Sequence, residues 1–567
     1  MRRRFFLSVT TATLLVGLPS LGAQTQHYAF FGDSADDRFG VSVAGAGDVN
    51  KDGFDDVIVG ADLNDANGDR AGLARILSGA DGSVLYTFYG DSANNYLGQS
   101  VAGVGDVDKD GYADVIVGAP GNGVMGTSSG MARVFSGADG SILHTFYGEV
   151  TNDNFGSSVA GAGDVNKDGF VDFIVGARGS DTNGFNSGNA RVFSGADWSV
   201  LHTFYGDSIF DEFGFSVAGA GDFNNDGYAD LIVGSPYDDD NGAESGSARV
   251  LSGADYSVLG VFYGDSPADG FGRSVAGAGD VNRDGFDDII VGAFGDDDNG
   301  NEAGSARVLS GADSSVLWTF HGDSTLDYFG LAVAGAGDVD DDGFDDLVVG
   351  AHGDDTFGTK AGSASVFSGA DGSVLQTFYG DDAGDYFGTS VAGAGDVDMD
   401  GYVDVIVGAT LDEGRLGSAR VFADFGCCPS VGFACTAAPC ESCPEMWATT
   451  SGGVPELGNV DFALELLHAP ANTTFAVLAI GGDRCADPGI SYVFCENLRV
   501  YEPLVFLAAM PITSGVGPCG TRVVVPAPIP SEPAFIGYTV GVQWAISCDT
   551  TVLGTSISNC VSFSITN

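Results

Sequence analysis

The sequence predicts an all-β protein: a seven-bladed β-propeller followed by a disulfide-containing, β-sandwich-like C-terminal domain. Three observations predict it. The block Gly-Asp-Val-Asn-Lys-Asp-Gly-Phe-Asp-Asp at 47–56 returns at 105, 163, 221, 279, 337 and 395, a period of 58 residues seven times over. Each copy holds four short β-type runs bounded by Gly, Asp, Asn or Ser turns. All ten cysteines lie beyond residue 426, which marks off a second domain of different character.

The first element, residues 1–23, reads as an export signal. Arg2, Arg3 and Arg4 precede a mostly apolar stretch from Phe5 to Leu18, and small residues follow around Ser20 to Ala23. The mature chain is then expected to start near Gln24. Arg3-Arg4-Phe5-Phe6-Leu7 also resembles a twin-arginine signal, so the general secretory and twin-arginine routes both remain open. No later stretch reaches the roughly 18 uninterrupted apolar residues of a membrane span. The expected location is secreted, extracellular or at the cell surface.

Residues 24–426 form the propeller. In the first copy the strand-like runs are Val41 to Gly45, Asp56 to Ala61, Leu73 to Leu77 and Ser83 to Tyr89, and nothing shows helical periodicity over ten residues. Four strands per repeat is one blade, and radial closure leaves only short, protected sheet edges. The ends of the array fit closure. The seventh copy stops at Val421-Phe422-Ala423-Asp424 without its own fourth strand, and His27-Tyr28-Ala29-Phe30-Phe31 matches the missing piece. The first strand is expected to complete the last blade, removing two edges that invite aggregation.

The repeated aspartate block has the form D-x-[D/N]-x-D-G-x-x-D. Side-chain oxygens stand at loop positions 1, 3, 5 and 9, with a backbone carbonyl available at 7. The candidate ligands are Asp48, Asn50, Asp52, Phe54 (carbonyl) and Asp56 in the first copy, then Asp106, Asp108, Asp110, Tyr112 and Asp114 in the second. Asp164, Asn166, Asp168, Phe170 and Asp172 follow in the third, and Asp222, Asn224, Asp226, Tyr228 and Asp230 in the fourth. The fifth offers Asp280, Asn282, Asp284, Phe286 and Asp288; the sixth Asp338, Asp340, Asp342, Phe344 and Asp346; the seventh Asp396, Asp398, Asp400, Tyr402 and Asp404. Hard oxygen donors alternating along a tight turn suit Ca²⁺ better than Mg²⁺, and about seven ions are expected. Asp-Gly and Asn-Gly are also ordinary hairpin turns that need no metal. Seven copies with every side-chain donor intact favour calcium. Without a cation these carboxylates repel one another at close range.

The Phe-Gly, Gly-Asp-Val-Asn-Lys-Asp-Gly-Phe-Asp-Asp and Val-Gly-Ala elements resemble the FG-GAP repeats of integrin α-subunit propellers and their bacterial relatives, over about residues 27–425. The resemblance implies seven blades, calcium in hairpin loops on one face, and ligand binding by loops on the opposite face or rim. This chain departs from it in keeping an intact loop in every blade and in lacking, in most copies, the Pro after Val-Gly-Ala; Pro120 and Pro236 are the exceptions.

The formal net charge of −56 opposes nucleic acid and anionic lipid as partners. Catalysis needs a singular constellation, whereas the conspicuous polar residues here recur sevenfold, so no enzyme activity and no catalytic residue is expected. His144 and His202 share one repeat position with Tyr86, Gly260, Trp318 and Gln376 and read as surface substitutions; His321 replaces a repeat Tyr. The alternative enzyme reading is a glycoside hydrolase with channel-facing carboxylates. The non-repeated acids Glu149, Glu212, Glu244, Glu302 and Glu413 fall in loops where solvated acids are expected. Recognition suits the segments that vary most between copies, at 62–72, 120–130, 178–188, 236–246, 294–304, 352–362 and 410–417. The expected function is an adhesion or ligand-binding scaffold for an extracellular protein or glycan; a structural envelope or matrix protein is the second reading.

Beyond a Cys-rich linker at 427–445, residues 446–567 carry alternating strand-like runs at 460–466, 474–480, 535–546 and 560–565, which suggest a β-sandwich. Cys427, Cys428, Cys435, Cys440, Cys443, Cys485, Cys495, Cys519, Cys548 and Cys560, even in number and in an exported chain, read as disulfides of undetermined connectivity. Asn472-Thr473-Thr474 fits a glycosylation sequon, which matters only in a eukaryotic secretory route.

Overall fold

The computed structural model describes residues 26–423, together with the backbone of six strand segments farther along the chain. Contacts divide the chain into two units, at Pro429.

In the first unit, seven four-stranded antiparallel sheets stand as blades around an axis. The first blade is Ser42–Gly47, Asp56–Ala61, Leu73–Leu77 and Val84–Tyr89, in that spatial order. The first strands of successive blades neighbour one another around the axis. They read Ser/Ala-Val-Ala-Gly, because only small side chains fit where seven strands converge. The serines also tie neighbours together: Ser42 Oγ accepts from the Val101 N–H at 3.1 Å, and the same bond recurs from Ser100 to Val159.

The core lies between blades. Ile58, Ile76 and Phe88 of the first blade pack with Leu97, Val101, Val115 and Val117 of the second, and seven such clusters circle the molecule. Each second strand is therefore buried on both faces, which explains its unbroken Asp-Val-Ile-Val-Gly-Ala character. The Phe-Gly and Val-Gly-Ala signatures are two halves of one contact. A Cβ on Gly60 would stand 1.9 Å from the Gly98 carbonyl oxygen of the next blade, so glycine is required at that approach.

The expected closure is present. Gln26–Phe31 pairs antiparallel with Ser418–Phe422, Tyr28 opposite Val421 and Phe30 opposite Ala419, and becomes the outermost strand of the seventh blade.

In the second unit, Phe462–Leu467 pairs with Ala476–Gly481, Thr539–Ala545 with Ile557–Ser564, and Glu456–Leu457 with Val523–Val524, all antiparallel. The first two pairs match the expected strand-like runs. The export signal, the Cys-rich linker, the disulfides, the sequon and the sandwich arrangement fall outside the described residues.

Candidate metal loops and the opposite face

Each aspartate loop joins the first strand of a blade to the second, so all seven open on one face. In the first, Asp48 accepts from the backbone N–H groups of Asp52 (3.1 Å) and Gly53 (3.0 Å), Asn50 Oδ1 from Asp52 (2.8 Å), and Asp52 Oδ1 from Phe54 (3.0 Å). These bonds fold the loop back on itself. The reversal takes positive φ at Lys51 (59°) and Gly53 (96°), the second a conformation glycine adopts freely.

Position 9 is the buried end of the loop. Asp56 is fully inaccessible, and its two oxygens accept from Val49 N–H at 2.9 Å and Gly79 N–H at 3.0 Å. Burial nevertheless pushes its carboxyl up to about 7, with Asp52 and Asp48 adding repulsion; Asp404 is pushed to about 8 in the same way. The structure thus brings the expected position 1, 3, 5 and 9 side chains together on one turn, and gives the position 9 aspartate a second task in pinning the loop to the third strand's end. Where position 3 is also Asp, carboxylate oxygens of Asp106, Asp108 and Asp114 lie within 4.8 Å of one another, as do those of Asp338, Asp340 and Asp346 and of Asp396, Asp398 and Asp404. Asp106 Oδ1 and Asp404 Oδ1 are buried without a hydrogen-bond donor. Crowded acceptors with unmet lone pairs fit a hard divalent cation.

Position 4 is basic in four of the seven loops, and there the side chain does not fill that need, since it turns to the next blade. Lys51 Nζ sits 3.9 Å from the centre of the Tyr112 ring, Lys109 3.5 Å from Phe170, Lys167 3.9 Å from Tyr228, and the Arg283 guanidinium 4.5 Å from Phe344. Position 8 makes a second link: Asp55 accepts from Asp396 N–H at 3.0 Å, Asp287 from Asp222 at 2.6 Å and Asp345 from Asp280 at 3.0 Å. These contacts join successive loops from the seventh, through the first, to the sixth. Sequence reading missed these bridges, although pairing position 4 with position 7 one period later would have found them.

The opposite face is built from the connectors between blades and the loops between second and third strands. Third-strand arginines Arg75, Arg133, Arg191, Arg249, Arg307 and Arg420 each pair with an acid of the connector entering their blade: Asp33, Asp91, Glu149, Asp207, Asp265 and Asp381. The sixth blade has Ser365 there, and the Ser365 hydroxyl meets Thr377 instead. Beside each pair lies a buried polar couple. In the first blade Asn64 Nδ2 donates to Asp37 at 2.7 Å. In the sixth both members are acids: Asp327 accepts from Ser324 N–H at 2.8 Å, and burial, Asp323 and Asp354 push its carboxyl up to about 7.

At the axial mouth of this face the seven copies diverge most. The Arg178 guanidinium lies 4.9 Å from the centre of the Phe215 ring and Arg273 4.2 Å from the same ring. Tyr328 stacks on His352 (5.2 Å), and His352 on Tyr386 (5.5 Å). Burial, with Lys360 and Arg273 nearby, lowers His352 to about 4, and its Nδ1 is buried without a partner. Arg178 and His352 open two of the segments expected to vary, but Phe215, Tyr328 and Tyr386 belong to the connectors and Arg273 to the start of the fifth blade's first strand, Phe271–Gly279, positions that sequence reading passed over.

Two expectations are corrected. Glu212 is not a solvated loop acid: burial raises its carboxyl against the pull of Arg178 and Arg273. Glu302 accepts from the Tyr328 hydroxyl, whereas Glu149 pairs with Arg191 yet stays 74% exposed, a solvated acid as expected. His144 and His202 are not surface substitutions, for they stack on Trp198 (5.2 Å) and Tyr256 (4.6 Å) of the next blade. Where the repeat has Tyr86 or Trp318 instead, the facing residue is Gly140 or Gly372, with no room for a Cβ. The innermost strands carry no Asp or Glu, so channel-facing carboxylates of the kind a glycoside hydrolase needs are missing from those strands.

A closed ring of seven blades, each with a carboxylate loop on one face and a variable loop on the other, defines a repeat propeller of the integrin α type. The FG-GAP repeat model matches residues 39–77, 97–135, 155–193, 213–251, 271–309, 329–367 and 387–422, and the chain belongs to this family as an integrin-α-like FG-GAP propeller. It is 34% identical to integrin alpha-V of Gallus gallus over 251 residues, 40% of this chain and 24% of that protein. Integrin alpha-5 of Xenopus laevis is 32% identical over 243 residues (40% and 22%), and integrin alpha-6 of Homo sapiens 35% over 217 residues (37% and 19%). The chain thus spans less than a quarter of the length of these relatives. Among the described residues no helix is long and apolar enough to cross a membrane.

Proposed function

We propose that the protein is a secreted, calcium-binding propeller that serves as an adhesion or ligand-binding scaffold, its partner an extracellular protein or glycan. The observation that carries this reading is the division of labour between the faces. One repeats a single acceptor-rich loop seven times, as a structural device does; the other gathers non-repeated aromatic and charged side chains at the axial mouth, as a recognition surface does.

In this reading the aspartates and asparagines at positions 1, 3, 5 and 9 hold Ca²⁺, with the position 7 carbonyl completing the oxygen set. A bound cation supplies the positive charge that the position 4 lysines, engaged with the next blade, do not. Binding only the folded ring, calcium stabilises it by about 2.7 kcal/mol per site at a hundredfold excess over Kd. Calorimetric titration of calcium into metal-stripped mature protein is expected to give close to seven ions and a large rise in melting temperature. Absence of binding would reduce the loops to plain turns. Arrays of glycans and extracellular proteins, probed with and without calcium, test the scaffold role, and a chain that captures neither would revert to a structural part of the envelope or matrix.

A further inference from the structure

Large apolar side chains exposed on a protein surface are ordinary when scattered and informative when gathered. On the variable face they gather in one sector. Val124 and Met125 sit at the tip of the second blade's loop, Val150 on the connector that follows, Phe185 in the third blade's loop, and Ile209 and Phe210 on the next connector; all six are more than half exposed. The repeat does not require them. Where Phe210 stands the first three copies have Asp36, Asn94 and Asn152, where Phe185 stands the first two have Asp69 and Thr127, and where Val150 stands five copies have Ser. The third-blade members are built together: the Phe185 and Phe210 rings meet edge to face at 5.3 Å, and Phe210 N–H donates to the Phe185 carbonyl at 2.9 Å. A Cβ on Gly184 would stand 2.6 Å from an Ile209 side-chain carbon, so glycine there lets Ile209 lie against the loop. A cleft lined by Ser128, Asn152 and Phe185 joins them to the second blade's loop and the connector that carries Val150.

Charge is divided along the same line. The loop at 120–130, with Val124 and Met125, has no charged residue, and the loop at 178–188, with Phe185, has one Arg178 and one Asp181. The next two blades invert this: 236–246 holds Asp238, Asp239, Asp240 and Glu244, and 294–304 holds Asp296, Asp297, Asp298 and Glu302, with no Lys or Arg in either. Asp239, Asp240, Asp297 and Asp298 are exposed. The third-strand arginines of these blades, Arg249 and Arg307, are already paired with Asp207 and Asp265. Repulsion from Asp238 raises the Asp240 carboxyl despite its exposure, and Asp207, two residues before Ile209, adds to it. The apolar and acidic sectors therefore share an edge.

We propose that this double sector docks a polypeptide whose surface sets apolar side chains beside a cluster of lysines or arginines. The apolar side chains seat on Val124, Met125, Val150, Phe185, Ile209 and Phe210, and the cations face Asp239, Asp240, Asp297 and Asp298. A second copy of this chain does not qualify, because two chains of net charge −56 repel, and the same acidity turns away an anionic lipid surface. Aliphatic anchors such as Val124, Met125 and Ile209 match protein side chains better than the hydroxyls of a glycan. The inference rests on the ligand-binding reading above and narrows its partner to a basic, amphipathic polypeptide.

The test uses the full mature chain in calcium and three peptides: an amphipathic helix of leucine and lysine, its leucine-glutamate counterpart, and a serine-lysine peptide of the same charge as the first. Calorimetry is expected to show binding of the leucine-lysine peptide alone, weakened about tenfold or more by the double variant Phe185→Thr/Phe210→Asn, which takes residues that other copies hold at those positions. Asp240→Asn/Asp298→Asn should also weaken it and reduce its sensitivity to salt. Phe357→Asn, at an exposed ring of the sixth blade, should change nothing, and unchanged melting temperatures establish that the variants fold. Equal binding of the serine-lysine peptide, or binding that survives the Phe185→Thr/Phe210→Asn change, leaves charge alone and overturns the docking surface, as does failure of the leucine-lysine peptide to bind. Dimerisation in sedimentation that this double variant abolishes overturns the basic partner in favour of a second copy. If no peptide binds while an arrayed protein or glycan binds parent and double variant alike, the docking proposal falls and the scaffold reading stands; if nothing binds, both fall.

Discussion

Replacing Asp327 with Asn should stabilise the protein at neutral pH and do so less than half as much in mild acid. Asp327 is 3% exposed in the sixth blade, accepts one hydrogen bond from Ser324 N–H, and faces Asp323 and Asp354 where the third-strand arginine of the other blades is replaced by Ser365. Its carboxyl is raised from 3.8 to about 7. A raised folded-state pKa means that the folded protein holds this proton more tightly than the unfolded chain does. The contribution is full below about 4 and is lost as pH rises through about 7. Three units correspond to about 4 kcal/mol at 1.36 kcal/mol per unit, and solvent reaching the exposed Asp323 reduces this to about 1–2 kcal/mol. Asn keeps the oxygen that accepts from Ser324 and adds an N–H₂ that can donate to Asp354, as Asn64 donates to Asp37 in the first blade. The second blade already has Asn95 at this position. Urea melts of parent and variant at pH 7.5 and pH 5.0 measure the difference, expected to be about 1–2 kcal/mol in favour of Asn at the higher pH and less than half of that at the lower. A variant no more stable at pH 7.5, or an advantage that persists undiminished at pH 5.0, refutes the account.

Chelation of the mature protein should lower its melting temperature, and millimolar calcium should restore it more completely than equal magnesium, followed by circular dichroism. Lys109→Ala should cost about 0.5–1 kcal/mol through loss of its seat on Phe170, with Phe170→Leu giving a similar loss and the double variant less than the sum, which a double-mutant cycle of urea melts checks. Trp198 stands at a φ of +65° and stacks on His144, whereas Gly140 at the same repeat position faces Tyr86. His144→Tyr alone should cost about 1–3 kcal/mol by overpacking against Trp198, and adding Trp198→Gly should recover most of it; thermal melts of the three variants decide.

Much of this was legible because the chain repeats. Seven copies of one unit reveal which positions every blade needs: the Phe-Gly and Val-Gly-Ala glycines, the buried second strand, the aspartates of the loop. The missing fourth strand of the seventh copy and the spare strand at Gln26–Phe31 predicted ring closure, and the pairing of Tyr28 with Val421 bears it out. Less legible was every contact that crosses a blade boundary. Glu212 read as a solvated loop acid because its neighbours in sequence are polar; its neighbours in space are Arg178 and Arg273, from the blades on either side.

By itself, the sequence determined the strand periodicity, the count of blades, the face on which the aspartates collect and the membership of the repeat family, since each follows from local residue pattern and its exact recurrence. Only the tertiary structure decided how one blade meets the next. Lys51 on Tyr112, His144 on Trp198, and Arg178 with Arg273 on Phe215 join residues of different blades. Their geometry depends on the angle at which twisted sheets close into a ring. That angle is set by packing of all seven blades at once, and no single repeat encodes it.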